Sequence, residues 1–317
     1  MNIVAELPFY SKSCGGVRKT VQLAEMFNPK MQLRFQRLKG EYPQVDTIWT
    51  VGMVDNTFPD CDICITYSDT PYIQELIKST HVGRVVLNML SYGMSIEHER
   101  RNAAARGIKV ICSTKKIERA MQIEGLTVER SGFGMDVDGM FNEHWNRDNV
   151  LAIYYHNSPA KKYDLAVKIS NALVDKGIIS GVYTFGTEEN YHSHAKPKKL
   201  IRHFSNASRK EVHDLFNLSK CFLMPSVTEG LNLTPVESTL CGCPAVICDG
   251  AIDELFFHNR NCIVTPKDDS VKMLKNCMDI FKGSDDISDE FEQHMKETIK
   301  PYTWGNYINR MHEILGV

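Results

Sequence analysis

The sequence predicts an α/β protein of two doubly wound, Rossmann-like domains, and three observations predict it. Short apolar runs alternate with amphipathic helical stretches; a polar, Trp-bearing stretch, Asn142–Asn149, interrupts the alternation; beyond it the alternation restarts. Strands alternating with helices form parallel sheets covered on both faces. The length agrees, since 317 residues make about two domains at the usual ~100–200 residues each.

Asn2–Ala5 reads as the opening strand. Val17–Phe27 reads as a helix because Val17, Val21, Leu23, Ala24 and Phe27 recur near a 3.6-residue period. Apolar runs place strands at Thr47–Val51, Asp62–Thr66, Arg84–Asn88 and Ile108–Cys112, with helices at Pro71–Ser79, Ser95–Arg106 and Thr114–Glu124. Asn142–Asn149 reads as the interdomain linker, which puts the first domain at 1–143 and the second at 149–300. The second opens with strand Val150–Tyr155 and helix Lys162–Lys176. Strand Gly181–Phe185, a segment near Ile201–Phe204, helix Arg209–Leu218 and strand Cys221–Met224 follow. Helix Leu233–Leu240, strands Ala245–Cys248 and Cys262–Val264, and at least two helices complete the chain. In open parallel sheets ligands bind at the carboxyl ends of the strands, so two facing domains put the expected site in the cleft between them.

Composition narrows the function. Apolar residues at 43% and charged residues at 24% leave room for a core in each domain and exclude a disordered, collagen-like or coiled-coil chain. A net charge of -2 and a pI of 6.6 make no overall demand for nucleic acid. No run reaches the ~18–20 apolar residues of a membrane span. The N-terminus lacks the charged and apolar regions of a signal peptide, which predicts a cytoplasmic, reducing setting. The ten cysteines are scattered. Cys61-x-x-Cys64 and Cys241-x-Cys243 lack the second pair that a structural zinc wants, so they read as buried free thiols.

The most informative segment is Pro225–Glu237, which leaves a strand and enters a helix near Leu233. Glu229 falls in the loop and Glu237 in the first turns of the helix. The amides of Gly230, Leu231, Asn232 and Leu233 lie between them, at a helix N-terminus that attracts anions. Glycine at 230 admits a ligand close to the chain. An ionised carboxylate accepts two hydroxyls, so the segment suits a ligand with both phosphates and hydroxyls, such as a sugar nucleotide. Taken alone, it is also compatible with an ordinary strand–loop–helix whose acids favour the helix start.

This E-x7-E element and its continuation, Cys241–Glu254, resemble the donor-binding core of retaining glycosyltransferases of family 4 (glycosyl transferases group 1), which have the GT-B fold. Three further segments resemble that family in order: Cys14-Gly15-Gly16-Val17-Arg18 after the first strand, Gly134–Phe141 before the linker, and Tyr302-Thr303-Trp304 with the last helix. The resemblance implies two Rossmann-like domains with parallel sheets facing across a cleft, and residues 301–317 crossing back onto the N-domain. It implies that Glu237 binds the ribose hydroxyls and that Glu229 contacts the transferred sugar and helps stabilise its developing positive charge. Gly230, Leu231, Asn232 and Leu233 would hold sugar and diphosphate, and Gly15 and Gly16 would let the N-domain approach the β-phosphate. The donor expected is an NDP-sugar, a UDP-sugar first of all, with no further cofactor and no metal. Asp136-Val-Asp138 matches a metal-site string only superficially.

The chain departs from the family twice. The family's basic pair, an arginine and a lysine five residues on, falls on His156 and Lys161, with Lys162 beside it. Lys161 keeps the charge that a departing diphosphate needs, whereas a histidine need not be charged. Many relatives also carry a histidine after a middle N-domain strand; here Asn88, Ser91 and Tyr92 occupy that stretch, and His98 lies on the following helix. The expected reaction is therefore metal-independent, retaining transfer of a sugar to an acceptor hydroxyl, and the alternative is a GT-B module that binds a nucleotide or glycan without transfer. The acceptor stays open. Basic stretches at Lys12–Lys39 and Arg100–Arg119 fit solvated faces, an anionic membrane carrying a lipid-linked sugar, or DNA with hydroxymethylated bases, as in the phage enzymes.

Overall fold

A computed structural model of the chain describes residues 1–7, 15–27, 31–35, 60–67, 80–89, 108–123, 125–135, 137–187, 191–251, 253–283 and 286–317. The strand expected at Thr47–Val51 and the helices at Pro71–Ser79 and Ser95–Arg106 lie outside these residues. The chain divides into two compact units, one made of Met1–Met135 with Tyr302–Val317, the other of Asp136–Pro301.

The first unit contains strands β1 (Ile3–Leu7), β2 (Met31–Phe35), β3 (Cys61–Tyr67), β4 (Val82–Met89), β5 (Lys109–Cys112) and β6 (Val128–Arg130), with helices α1 (Gly15–Phe27) and α2 (Lys115–Ile123). The strands form one parallel sheet in the order β2-β1-β3-β4-β5-β6. The apolar runs read at Asn2–Ala5, Asp62–Thr66, Arg84–Asn88 and Ile108–Cys112 are its inner strands, where Ile3, Ile65, Val86 and Ile111 are fully buried. Strands β2 and β6, absent from the sequence reading, are the two edges of the sheet among the described residues.

The second unit repeats the plan. In chain order it holds β7 (Asp148–Tyr155), α3 (Tyr163–Asp175), β8 (Gly181–Gly186), β9 (Leu200–Ser205), α4 (Arg209–Leu218), β10 (Ser219–Met224), α5 (Leu233–Leu240), β11 (Ala245–Cys248), β12 (Ile263–Thr265), α6 (Ser270–Lys282) and α7 (Asp286–Ile299). Its parallel sheet has the order β12-β11-β10-β7-β8-β9. In both sheets the first strand has its successors on opposite sides, which makes β1 and β7 the points where the strand order reverses.

Local chemistry starts and stops these elements. Ser208 and Glu211 form a reciprocal capping box at the start of α4: Glu211 N donates to Ser208 Oγ at 3.2 Å, and Ser208 N donates to Glu211 Oε2 at 2.9 Å. That accepted bond also lowers the Glu211 carboxyl below its ordinary range. Pro235 is tolerated in the first turn of α5, where its missing N–H would have no partner within the helix. Asp269 caps α6 by accepting from Lys272 N at 2.8 Å.

The stretch expected to be a linker is tied into the second unit. Asn142 Nδ2 donates to Glu292 Oε2 at 2.9 Å, and Glu143 N donates to Asn217 Oδ1 at 2.7 Å. Arg147 donates to Asn142 Oδ1 and to the Cys241 carbonyl, both at 2.7 Å.

The last helix, α8 (Trp304–Leu315), belongs to the first unit. Its Met311, Ile314 and Leu315 join Ile3, Ala5, Leu23 and Phe27 in one core cluster. Each large apolar side chain buried there stabilises by about 1.5–3 kcal/mol. Arg84 donates to the Leu315 carbonyl, and Lys109 Nζ donates to Ile314 O at 2.7 Å, so cations satisfy the end of the helix. Gly134 lies against Trp304, and a Cβ there would stand 2.4 Å from the indole. Beside it Met135 N donates to Tyr302 O at 3.0 Å, and Phe133 stacks on Tyr302 with ring centres 4.6 Å apart. Two segments noticed separately in the sequence thus meet in one packing contact.

All nine described cysteines are free and buried. Burial pushes the thiols of Cys241 and Cys262 up to about 12 and that of Cys248 to about 11, which makes them inert packing groups. Among the described residues no helix is long and apolar enough to cross a membrane.

Candidate active site

Sheet order decides what the second unit brings together. β7 and β10 lie side by side at the reversal, with Ile153 opposite Leu223, so the loops leaving their carboxyl ends emerge together. In open α/β sheets this is the crevice that takes ligands. One loop is His156–Lys162 and the other Pro225–Asn232, and Val227 N donates to Ala160 O at 2.9 Å between them. Gly250, just beyond β11, packs on the same turn. A Cβ at 250 would stand 2.2 Å from Val227 O, so only glycine lets the third loop approach.

The first pair of site residues meets across these loops. Lys161 ends a short 3-10 turn, Pro159–Lys161, and its Nζ donates to both oxygens of Glu229, at 2.6 and 2.7 Å. The lysine side chain is 20% exposed and the glutamate 11%, so water screens the pair only in part. The ammonium also lies 5.8 Å from the centre of the Tyr154 ring. Lys162 is exposed and sits at the N-cap of α3 in the left-handed conformation, with φ at 51°. His156 Nδ1 accepts from Ser158 N at 3.0 Å.

The second glutamate sits apart from the first. Glu237 lies within α5, and its Oε1 is 3.3 Å from a guanidinium nitrogen of Arg209. Arg209 also donates through Nε to the Asp138 carbonyl at 3.0 Å, joining α4, α5 and the segment ahead of β7. Between the glutamates, Gly230, Leu231 and Leu233 are half-buried and Asn232 is buried at the N-cap of α5. The amides that begin this helix and the carboxylates on either side form a surface for an anionic ligand that also carries hydroxyls.

In the first unit, Gly15 and Gly16 open α1, the helix that follows β1 at the reversal of that sheet. The helix thus starts two residues before the expected Val17. Asn88 lies on β4, 1% exposed, and its Oδ1 has no partner among the described residues. Ser91, Tyr92 and His98 lie outside the described residues, as does Asp136. Of the basic stretches, Lys109 pairs with Glu129 at 2.8 Å. Lys115 and Arg119 line an open groove with Arg130 and Arg310, beside the acids Glu118 and Glu129. No group of three or more His, Cys, Asp or Glu side chains among the described residues is arranged to hold a metal ion.

Arg209 is the residue that sequence reasoning passed over. Its signal was present: the capping box puts it in the first turn of a helix that follows a parallel strand, and such turns lie at the ligand-binding edge of the sheet.

Comparison with known proteins bears on the same segment. Residues 155–282 match the family model of the glycosyl transferases group 1, and Lys161, Arg209, Glu229 and Glu237 all fall within the match. No curated protein matches the sequence. Among solved structures, HepE from Anabaena in complex with UDP and glucose superposes with a TM-score of 0.78 at 13% identity, over 100% of both chains. Sucrose-phosphate synthase from Thermosynechococcus elongatus gives 0.75 at 10% identity, over 100% of this chain and 98% of that one. A point mutant of TarM from S. aureus, in complex with fondaparinux, alpha-GlcNAc-glycerol and UDP, gives 0.64 at 14% identity over 80% of this chain. The chain spans 55% of the length of that TarM structure. Residues 155–282 are thus similar to the glycosyl transferases group 1, within a chain of GT-B fold.

Proposed function

We propose that the protein is a retaining, metal-independent glycosyltransferase that moves a sugar from a nucleoside-diphosphate sugar to an acceptor hydroxyl. The observation that carries this reading is the Lys161–Glu229 pair, held where β7 and β10 diverge. It places one cation and one anion where a glycosyl diphosphate would separate charge. As the bond from the anomeric carbon to the diphosphate breaks, its electron pair goes to the diphosphate oxygen. Lys161, drawn from Glu229 to that oxygen, and the amides at the start of α5 neutralise the charge. Glu229, released, faces the positive charge on the sugar. The acceptor oxygen bonds to the anomeric carbon on the face the diphosphate leaves, and its proton passes to the diphosphate. Glu237 accepts the ribose hydroxyls. The charge that a metal would otherwise supply comes from Lys161 and the helix N-terminus. The likeness to HepE, which was crystallised with UDP-glucose, favours a uridine donor. The acceptor is a glycan, a lipid-linked sugar or a hydroxymethylated base in DNA, and the loops that would choose it lie in the first unit.

His156 favours a second reading. It stands where the resembling family carries an arginine, and its Nδ1 accepts from Ser158 N, so the guanidinium fork is missing, as a module that binds a nucleotide or glycan without transferring anything could tolerate. One experiment separates the two: donor hydrolysis and transfer over UDP-, GDP-, ADP- and dTDP-sugars, in EDTA and in magnesium, with and without hydroxymethylated duplex DNA. Nucleotide release from one donor, indifferent to EDTA and lost in Glu229→Ala, is the result expected. Nucleotide binding by calorimetry without any release selects the binding module.

A further inference from the structure

Lys161 has a neighbour that the proposed reaction leaves unused. A lysine ammonium carries three N–H donors, and Lys161 directs its bonds to the two oxygens of Glu229. Beside the ammonium, apart from that carboxylate, lies a ring. Nζ is 5.8 Å from the centre of Tyr154, within the ~6 Å at which a ring face attracts a cation. Tyr154 is half-buried near the carboxyl end of β7, and its ring is packed from two sides. Phe185 stands opposite it on β8, with ring centres 5.4 Å apart and planes tilted by 55°. The ring of His156 has its centre 6.2 Å away. Phe185 is itself only 5% exposed, so the tyrosine rests on the core of the unit.

We infer that Tyr154 is a positioning residue for Lys161: its ring face keeps the ammonium in place while a diphosphate takes over from Glu229 as the anionic partner. The inference rests on the glycosyl-transfer reading and adds a residue that acts through the lysine. Lysine is a point charge on a flexible four-carbon stem, so an ammonium released by one carboxylate can turn toward water before it meets a phosphate. A ring quadrupole attracts the cation yet carries no net charge. It therefore holds the ammonium without competing for it as a second carboxylate would. The hold matters more because His156 stands where the resembling family carries an arginine. The loop His156–Lys162 contains no arginine, and Lys162 is exposed. The placement of Lys161 thus decides where the leaving charge is met.

The test compares wild type with Tyr154→Phe, which keeps the ring face, and Tyr154→Leu, which removes it and stays apolar, each alone and combined with Lys161→Ala. Nucleotide release is followed on UDP-, GDP-, ADP- and dTDP-glucose, and calorimetry gives the affinity for the matching free nucleoside diphosphate. The expected result is kcat lower by about three- to tenfold in Tyr154→Leu, the scale of one cation–ring contact. Tyr154→Phe should recover most of that loss, and free-nucleotide affinity should stay within about twofold of wild type, which also certifies a folded site. With Lys161→Ala already present, Tyr154→Leu should lower kcat no further, because the cation it positions is gone. A tyrosine that only packs would lower kcat by the same factor in both backgrounds, and that result overturns the inference. So would wild-type kcat in Tyr154→Leu. NMR of protein carrying isotope-labelled lysine reads the contact without turnover. The Lys161 ε-methylene signal, identified by its absence from Lys161→Ala, should be displaced by the ring current and stay displaced at saturating free nucleotide. It should move to the ordinary lysine position in Tyr154→Leu. Loss of the displacement when nucleotide binds would overturn the inference. Nucleotide binding without release from any of the donors would sink the glycosyl-transfer reading instead, while a displacement that persists would still support the ring as the seat of Lys161 on a bound diphosphate.

Discussion

Glu229 and Glu237 stand eight residues apart on one loop–helix element, and each faces a cation, but the two pairs are built differently. Lys161 reaches Glu229 from a neighbouring loop and holds both oxygens at 2.6 and 2.7 Å, with side chains 20% and 11% exposed. Arg209 reaches Glu237 from the start of α4, its Nη1 3.3 Å from Oε1, with side chains 29% and 19% exposed. The short, drier pair is the one whose charges must separate when a diphosphate arrives. The longer, wetter pair holds its carboxylate less tightly. Under the proposed function, one end of the element would serve the chemistry and the other recognition of the nucleotide.

Breaking the first pair should cost most. Lys161→Ala removes the cation for the leaving group, and kcat should fall by about 10²–10³-fold, the scale for one preorganised charge at a transition state. Nucleotide affinity should fall much less, and steady-state kinetics beside calorimetry read both. Wild-type turnover in this variant would make the pair a structural latch. Glu237→Ala should have an intermediate effect of the opposite kind. A lost hydrogen bond to a charged acceptor weakens nucleotide binding by about 10–100-fold, while turnover at saturating donor changes little. A matched loss for ribose and 2′-deoxyribose nucleotides would show that Glu237 does not read the ribose. Arg209→Ala should do least, since a partly exposed pair contributes about 0–1 kcal/mol. A change in nucleotide affinity under about fivefold, shrinking as salt is added, would keep Arg209 as a support for Glu237; a loss as large as that of Glu237→Ala would promote it to a direct ligand.

How much of this was legible in the sequence depended on where each element lies. Helices Arg209–Leu218 and Leu233–Leu240 and strand Ala245–Cys248 were read to the residue: Ser208 caps the first, Pro235 fits the first turn of the second, and the strand is a continuous apolar run. The strands that escaped notice are edges. Met31–Phe35 interleaves Gln and Arg with its apolar residues and Val128–Arg130 has a single apolar residue, since an edge strand need not be a continuous apolar run. Leu200–Ser205, an edge of the second sheet, was seen only as a segment, and its residues are half-buried or exposed. The site was half legible. Its residue types and their order could be read along the chain. The joining of Lys161 to Glu229 could not, because no local spacing relates them and only the adjacency of β7 and β10 does. Arg209 was hidden among ordinary helix-start residues, and its partners Glu237 and Asp138 are distant in sequence.

The first unit is made from both ends of the numbering, 1–135 and 302–317, while the second is one unbroken stretch. Translation therefore delivers all of the second unit before the first has its last helix. Until residues 302–317 leave the ribosome, the core around Ile3, Leu23 and Phe27 lacks Met311, Ile314 and Leu315, and Gly134 lacks the indole of Trp304. The half of the molecule that is synthesised first is completed last, and a chain released early at Pro301 would carry the whole second unit together with a first unit whose apolar face is uncovered.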